Sequence, residues 1–217
     1  MHLEILVEDQ SGKKLLDLVV PKIIGRTHTY RVHAYRGIGR IPPGLKAKSE
    51  PAKRILLDQL PRLLRGYGEA FSKYPKDYLA HVAVVCDLDD KNLKRLLNEL
   101  KKTLDGCRHK PVTEFCLAIE EAEAWLLGDR QAVETAYPKA QRNILQSYVY
   151  DSICGTWEIL ADAIYPGGSV ALKRLGWQAI GYEKFKWAEA IATRVEPARN
   201  ASPSFSYFIG RLRSLGY

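Results

Sequence analysis

Asp87 and Asp89 close an apolar run, Ala80-His81-Val82-Ala83-Val84-Val85-Cys86, and a third carboxylate, Asp90, follows them. A Val-rich run of this kind reads as a strand buried on both faces. On an extended backbone Asp87 and Asp89 point the same way. Carboxylates held so close repel one another unless a cation lies between them. Mg²⁺ and Mn²⁺ take oxygen ligands of this type. The simpler alternative is a strand that runs into a solvated acidic turn. Two other acidic segments bear on the choice. Glu8 ends the short apolar stretch Leu3 to Val7, and Glu120, Glu121 and Glu123 follow the stretch Val112 to Ile119.

For these segments to meet, the intervening chain must return each strand to one edge. Asp9-Gln10-Ser11-Gly12 is a turn with capping residues, and Leu15 to Ile24 reads as a helix bent or interrupted at Pro21. Thr29 to Tyr35 alternates as a second strand. A basic, Gly-containing loop, Arg36 to Gly44, leads to Ser49 as an N-cap with Pro51 in the first turn of the next helix. Asn92 to Leu104 forms a helix with its leucines opposite lysines, and Asp90 is favoured as its cap. Strands alternating with helices predict an α/β fold, a mostly parallel sheet flanked by helices. In such sheets ligands collect at the carboxyl ends of the strands, so all three acidic segments reach one rim. Residues 1–130 form this unit. Residues 131–217 form a helical C-terminal extension packed on it, whose last helix opens at Ser202-Pro203 and carries a core stripe of Phe205, Phe208, Ile209 and Leu212.

The formal net charge is +8, which favours polyanionic partners such as nucleic acid. Basic residues recur in groups: Lys13 and Lys14; Arg36, Arg40, Lys46 and Lys48; Lys91, Lys94 and Arg95; Arg211 and Arg213. No stretch has the length of a membrane span, and the N-terminus lacks the pattern of a signal peptide, so a cytoplasmic location is expected. None of Cys86, Cys107, Cys116 and Cys154 forms a Cys-x-x-Cys pair, and Cys86 and Cys116 lie in apolar runs as small core residues.

Leu6-Val7-Glu8, Val84 to Asp89 and Glu120 to Glu123 resemble the TOPRIM fold. In that family a strand-end Glu and an Asp-x-Asp bind Mg²⁺ for phosphoryl transfer or strand cleavage; it includes nucleases of overcoming-lysogenization-defect type. Ile119-Glu120-Glu121-Ala122-Glu123-Ala124-Trp125-Leu126-Leu127-Gly128-Asp129, with Asn200-Ala201-Ser202-Pro203-Ser204-Phe205, is similar to a bacterial TOPRIM-like family found beside ATPases in what look like phage-defence loci. TOPRIM enzymes often carry Gly soon after the first Glu, whereas here Asp9 follows Glu8 and the first Gly is Gly12.

The resemblance implies a Mg²⁺- or Mn²⁺-dependent nuclease, acting on DNA rather than RNA, with an ATPase partner. Homo-oligomer formation is left open. Asp87 and Asp89 are then the first ligands, Glu8 a ligand or general base, Glu123 the third ligand, and Glu120 its rival. The alternative role for Glu8 is helix capping. Glu121 reads as solvated. His33, Arg36 and Arg40 read as phosphate contacts or as an exposed basic loop. Lys184 and Arg199 read as backbone-phosphate contacts or solvated helix ends. Tyr148, Tyr150 and Trp157 read as a base-stacking group or as core. A non-catalytic TOPRIM-like adaptor or nucleic-acid-binding subunit is the alternative function. An ATPase is excluded because the chain has no Gly-x-x-x-x-Gly-Lys-Ser/Thr loop.

Overall fold

A computed structural model describes residues 1–42, 55–151 and 155–217. The N-cap expected at Ser49, the first-turn Pro51, the basic Lys46 and Lys48, and Cys154 lie outside the described residues.

The chain runs β1 (His2–Val7), α1 (Gln10–Ile24), β2 (Thr29–Ala34), α2 (Leu56–Phe71), β3 (Ala80–Asp87), α3 (Leu93–Asp105) and β4 (Thr113–Ala118). It continues through α4 (Glu123–Leu127), α5 (Arg130–Ala136), α6 (Arg142–Ser147), α7 (Thr156–Ile164), α8 (Gly168–Arg174), α9 (Trp177–Ala192) and α10 (Pro203–Ser214). The four strands form one parallel sheet in the order β2-β1-β3-β4. This is the α/β architecture that the alternation of elements predicts.

β1, β3 and β4 divide their residues between two cores, because neighbouring side chains point to opposite faces. Leu3, Ile5 and Val7 of β1, with Ala83 and Val85 of β3, face α1 and the C-terminal helices. Leu6 of β1, with Val82, Val84 and Cys86 of β3, faces α2 and α3 through Leu60, Leu64, Leu96 and Leu100. Among the described residues, the C-terminal helices share the core on the α1 face of the sheet. Trp125, Leu160, Trp187 and Phe208 belong to the same apolar cluster as Leu3 and Val85.

The caps explain the element boundaries. Asp9 accepts from the Gly12 N–H at 2.7 Å and starts α1. Pro21 lies inside α1 without ending it. Asn92, not Asp90, caps α3, accepting from the Arg95 N–H at 3.0 Å, and Asp90 is exposed. Ser202 caps α10, with Pro203 at its first position, as the sequence predicts. No helix among the described residues is long and apolar enough to cross a membrane.

The two halves of the Trp-containing motif pair lie against each other. Trp125 Nε1 donates to Ser204 Oγ at 2.8 Å, and Asn200 Nδ2 donates to the Trp125 carbonyl at 2.7 Å. Trp125 stacks on Phe208 with centroids 5.1 Å apart. Asp129 takes a bidentate pair from Arg199, both contacts at 2.8 Å, so Arg199 is a structural tie rather than a free helix end. A Cβ on Gly128 would collide with the Asn200 side chain, which explains the glycine. Asn200→Ala should therefore cost about 2–4 kcal/mol, because it strands the Trp125 carbonyl and the Ser202 N–H in the interior. Urea denaturation checks this as a lowered midpoint at constant slope.

Candidate functional site

From β1 the chain crosses by α1 to β2 on one side, and from β3 it crosses by α3 to β4 on the other. α1 packs on one face of the sheet and α3 on the opposite face. The carboxyl ends of β1 and β3 therefore border the crevice where the winding direction reverses, the usual ligand position in open parallel sheets. Glu8 and Asp87 stand at this point.

Val7 is in register with Val85, so Glu8 extends β1 beside the end of β3. The Asp87 N–H donates to Glu8 Oε2 at 3.3 Å. Asp87 closes β3 and shares the face of Ala83 and Val85. Val7, Leu15, Leu16, Val85 and Trp125 line a small cleft together with Glu8, Asp9 and Asp87. α4 follows β4 and brings in Glu123, only 2% exposed. Lys184 reaches in from α9, its Nζ 3.1 Å from Glu123 Oε2 and 3.5 Å from Glu121 Oε1. Oε2 of Glu121 is buried and accepts no hydrogen bond, whereas Oε2 of Glu123 faces the Lys184 ammonium.

The electrostatics follow from burial. Burial pushes the Glu8 carboxyl up to about 7, with help from Asp9 and Asp89. Burial, then Glu8, holds Asp87 well above the usual carboxylate range. Burial and the neighbouring Glu123 push Glu121 up to about 8. Burial also raises Glu123, against the pull of Lys184. For Lys184 burial acts in the opposite sense, but Glu123 and Glu121 outweigh it and hold the ammonium charged. Negative charge thus exceeds its partners around one buried lysine. Such a cluster keeps protons or attracts a cation.

Several sequence expectations change. Asp89 does not continue the strand: its φ is +50°, in the left-handed region. It therefore does not point alongside Asp87 as an extended backbone would require. Its carboxylate pairs with Lys91 at 2.5 Å and stays near enough to Glu8 to raise it. Glu120, the rival of Glu123, lies outside α4, which starts three residues later, and has φ +66°. Its carboxylate accepts from the Gly155 and Thr156 N–H groups and the Thr156 hydroxyl at the start of α7. It serves as a remote cap instead of facing Asp87. Glu121, read as solvated, belongs to the buried cluster. Lys184, read as a phosphate contact or a solvated helix end, is buried with it, its side chain 14% exposed.

His33, in register with Leu6, pairs with Glu4 and not with the rim carboxylates. Its Nε2 is 2.5 Å from Glu4 Oε2, and His2 holds the other Glu4 oxygen at 3.1 Å. Burial would raise Glu4, but His33 and His2 outweigh it and lower its pKa. Arg36 and Arg40 are exposed on the loop after β2. That loop is tied to the rim, since the Gly37 N–H donates to the Glu8 carbonyl at 2.9 Å. Gly37 has φ +87°, which requires glycine there. Tyr148 and Trp157 are core residues and offer no stacking surface.

The donor set consists of carboxylate oxygens, the chemistry of a hard divalent cation. As they stand, no three His, Cys, Asp or Glu side chains among the described residues are grouped to hold a metal ion. What favours such an ion is the donor type, the uncompensated charge and the buried Glu121 Oε2, which accepts no hydrogen bond.

No curated protein and no solved structure matches the chain. A protein-family model, described as "Domain of unknown function (DUF4276)", matches residues 7–213, a span that takes in Glu8, Asp87, Glu123, Lys184 and the paired Trp125–Ser204 motifs. With nearly its whole length covered by that model, the chain belongs to the DUF4276 family.

Proposed function

We propose that the protein is a Mg²⁺- or Mn²⁺-dependent nuclease that hydrolyses phosphodiester bonds, DNA in preference to RNA. The observation that carries this reading is the buried, under-neutralised carboxylate cluster at the switch point of a parallel sheet. Asp87 and Glu123 would hold the cation, with Asp89 closing the site as its pairing with Lys91 opens. When bound, the ion supplies charge neutralisation at the scissile phosphate and a lowered pKa for a water molecule. Glu8, the more accessible of the strand-end carboxylates, takes the proton of the attacking water. A carboxyl with a pKa of about 7 is suited to that transfer at neutral pH. Arg36 and Arg40, exposed on the loop that Gly37 ties to Glu8, contact phosphates of the strand. The net charge of +8 favours approach of the polyanion. In keeping with the resemblance in its motifs, the protein would work beside an ATPase in anti-phage defence.

Purified protein incubated with plasmid, linear DNA and RNA in Mn²⁺, with EDTA controls, tests the reading. Metal-dependent cleavage is expected, lost in Glu123→Gln. Glu120→Gln should keep Mn²⁺ affinity and cleavage while lowering the melting temperature, because its carboxylate caps α7. No cleavage by the wild type, alone or with an ATPase partner, overturns the nuclease reading. Retained metal binding in that case favours the non-catalytic subunit. The Lys184 ion pair with Glu123, which fills the cluster with a protein cation, is the observation on that side.

A further inference from the structure

We infer that Trp177 is a stacking platform for a base of the nucleic-acid strand. The inference rests on the nucleic-acid substrate of the reading above. The chain has four tryptophans. Trp125, Trp157 and Trp187 are buried, whereas Trp177, the first residue of α9, is 80% exposed. An indole this exposed leaves the burial of a large side chain unrealised until a partner covers it.

Its place on the helix narrows the partner. Trp177 and Lys184 are two turns apart, so both lie on one stripe of α9, about 10 Å from each other along its axis. Further along that stripe Ala188 and Ile191 are buried in the core, as is Ile180 at its edge. α9 therefore carries its inward stripe past the end of the core, and Trp177 stands on the overhanging turn. Between the two residues Gly181 is exposed, and a Cβ there would meet nothing within 4 Å. Open surface thus leads from the indole toward the lysine that pairs with Glu123 beside the strand ends. Lys173 and Arg174 close α8 just before Trp177 and are exposed, which suits the phosphates of a polyanion. A single strand matches both features. Its bases have flat faces that stack on an indole, and its backbone seeks cations.

Binding of the full chain to a single-stranded oligodeoxynucleotide of about 12 nucleotides, in Ca²⁺ and in EDTA, tests this apart from cleavage. Because the other three indoles are buried, changes in tryptophan emission on binding report on Trp177. Binding should quench that emission and shield it from iodide. Trp177→Ala should weaken binding about tenfold, and Trp177→Phe should stay within about threefold of the wild type. Neither variant removes a charge, so the salt dependence of binding should be unchanged, whereas Arg174→Gln should reduce it. The exposed side chain supports little of the fold, so both Trp177 variants should melt with the wild type. Unchanged oligonucleotide affinity in Trp177→Ala overturns the inference, as does binding that leaves the emission unaltered. These signatures without cleavage in Mn²⁺ overturn the nuclease reading and leave the stacking site standing. Absence of any nucleic-acid binding by the wild type overturns both.

Discussion

Asp87→Asn is expected to abolish divalent-cation binding and nucleic-acid cleavage while making the metal-free protein more stable at about pH 8. The loss of cleavage should be about a thousandfold or more, because the substitution removes a charged oxygen from the centre of the site. The gain in stability has a separate cause. Asp87 is 8% exposed, and burial together with Glu8 disfavours its ionised form. An amide of the same shape carries no charge to desolvate and relieves the repulsion on Glu8. Thermal melting in EDTA, set beside Mn²⁺ titration and a cleavage assay, measures both effects. A carboxylate serving only the fold would show the opposite pattern: lowered stability with unchanged cation binding. The trade of stability for charge is what an ion-binding site shows when its ion is removed.

Metal-free protein should lose stability as the pH rises from about 5 to about 8. Glu8 and Glu121 have folded-state pKa values of about 7 and about 8, against an ordinary 4.5. Between the ordinary and the raised value the folded chain binds more protons than the unfolded one. Stability supplied by these groups is therefore complete below about 4.5 and disappears as the pH passes through about 7 to 8. Each pKa unit corresponds to about 1.4 kcal/mol before solvent screening, so a loss on the order of 3 kcal/mol is expected, or roughly 10 °C in melting temperature. Mn²⁺ should restore most of it at about pH 8 and little at about pH 5, where protons compete for the same oxygens. Glu121→Gln should flatten the profile. A melting temperature that rises over this range would contradict the assignment.

The strands were legible because their apolar runs and alternation carry a direct signal. Val82 to Cys86 reads as buried on both faces and is so, and Leu3 to Val7 lies beside it. The convergence of Glu8 and Asp87 followed from the parallel order alone. The local conformations were not legible. Asp89 and Glu120 both take positive φ, and their backbones bond to each other, Asp89 N–H to Glu120 C=O at 3.1 Å. No glycine marks those turns, so sequence pattern extends the strand and starts the helix too early. Glu121 was misread because a run of glutamates usually faces solvent. Its partner Lys184 is distant in sequence but carries a signal that could have been used: it shares a helical face with Ile180 and Ala188. His33 was misplaced for a related reason. Its pairing with Glu4 depends on β1 and β2 lying side by side, and spacing within one strand does not report that register.

The tie between Trp125 and α10 bears on when the protein becomes competent during its own synthesis. Glu123 is carried by a five-residue helix, too short to hold itself in place. Its support comes from Asn200, Ser204 and Phe208, some 75 or more positions further along the chain. Lys184 arrives from the same late portion. The sheet with Glu8 and Asp87 emerges from the ribosome long before the helices that complete its rim. A chain made only as far as β4 therefore carries the acidic strand ends without Glu123 and Lys184 held beside them, and α9 and α10 complete the cluster.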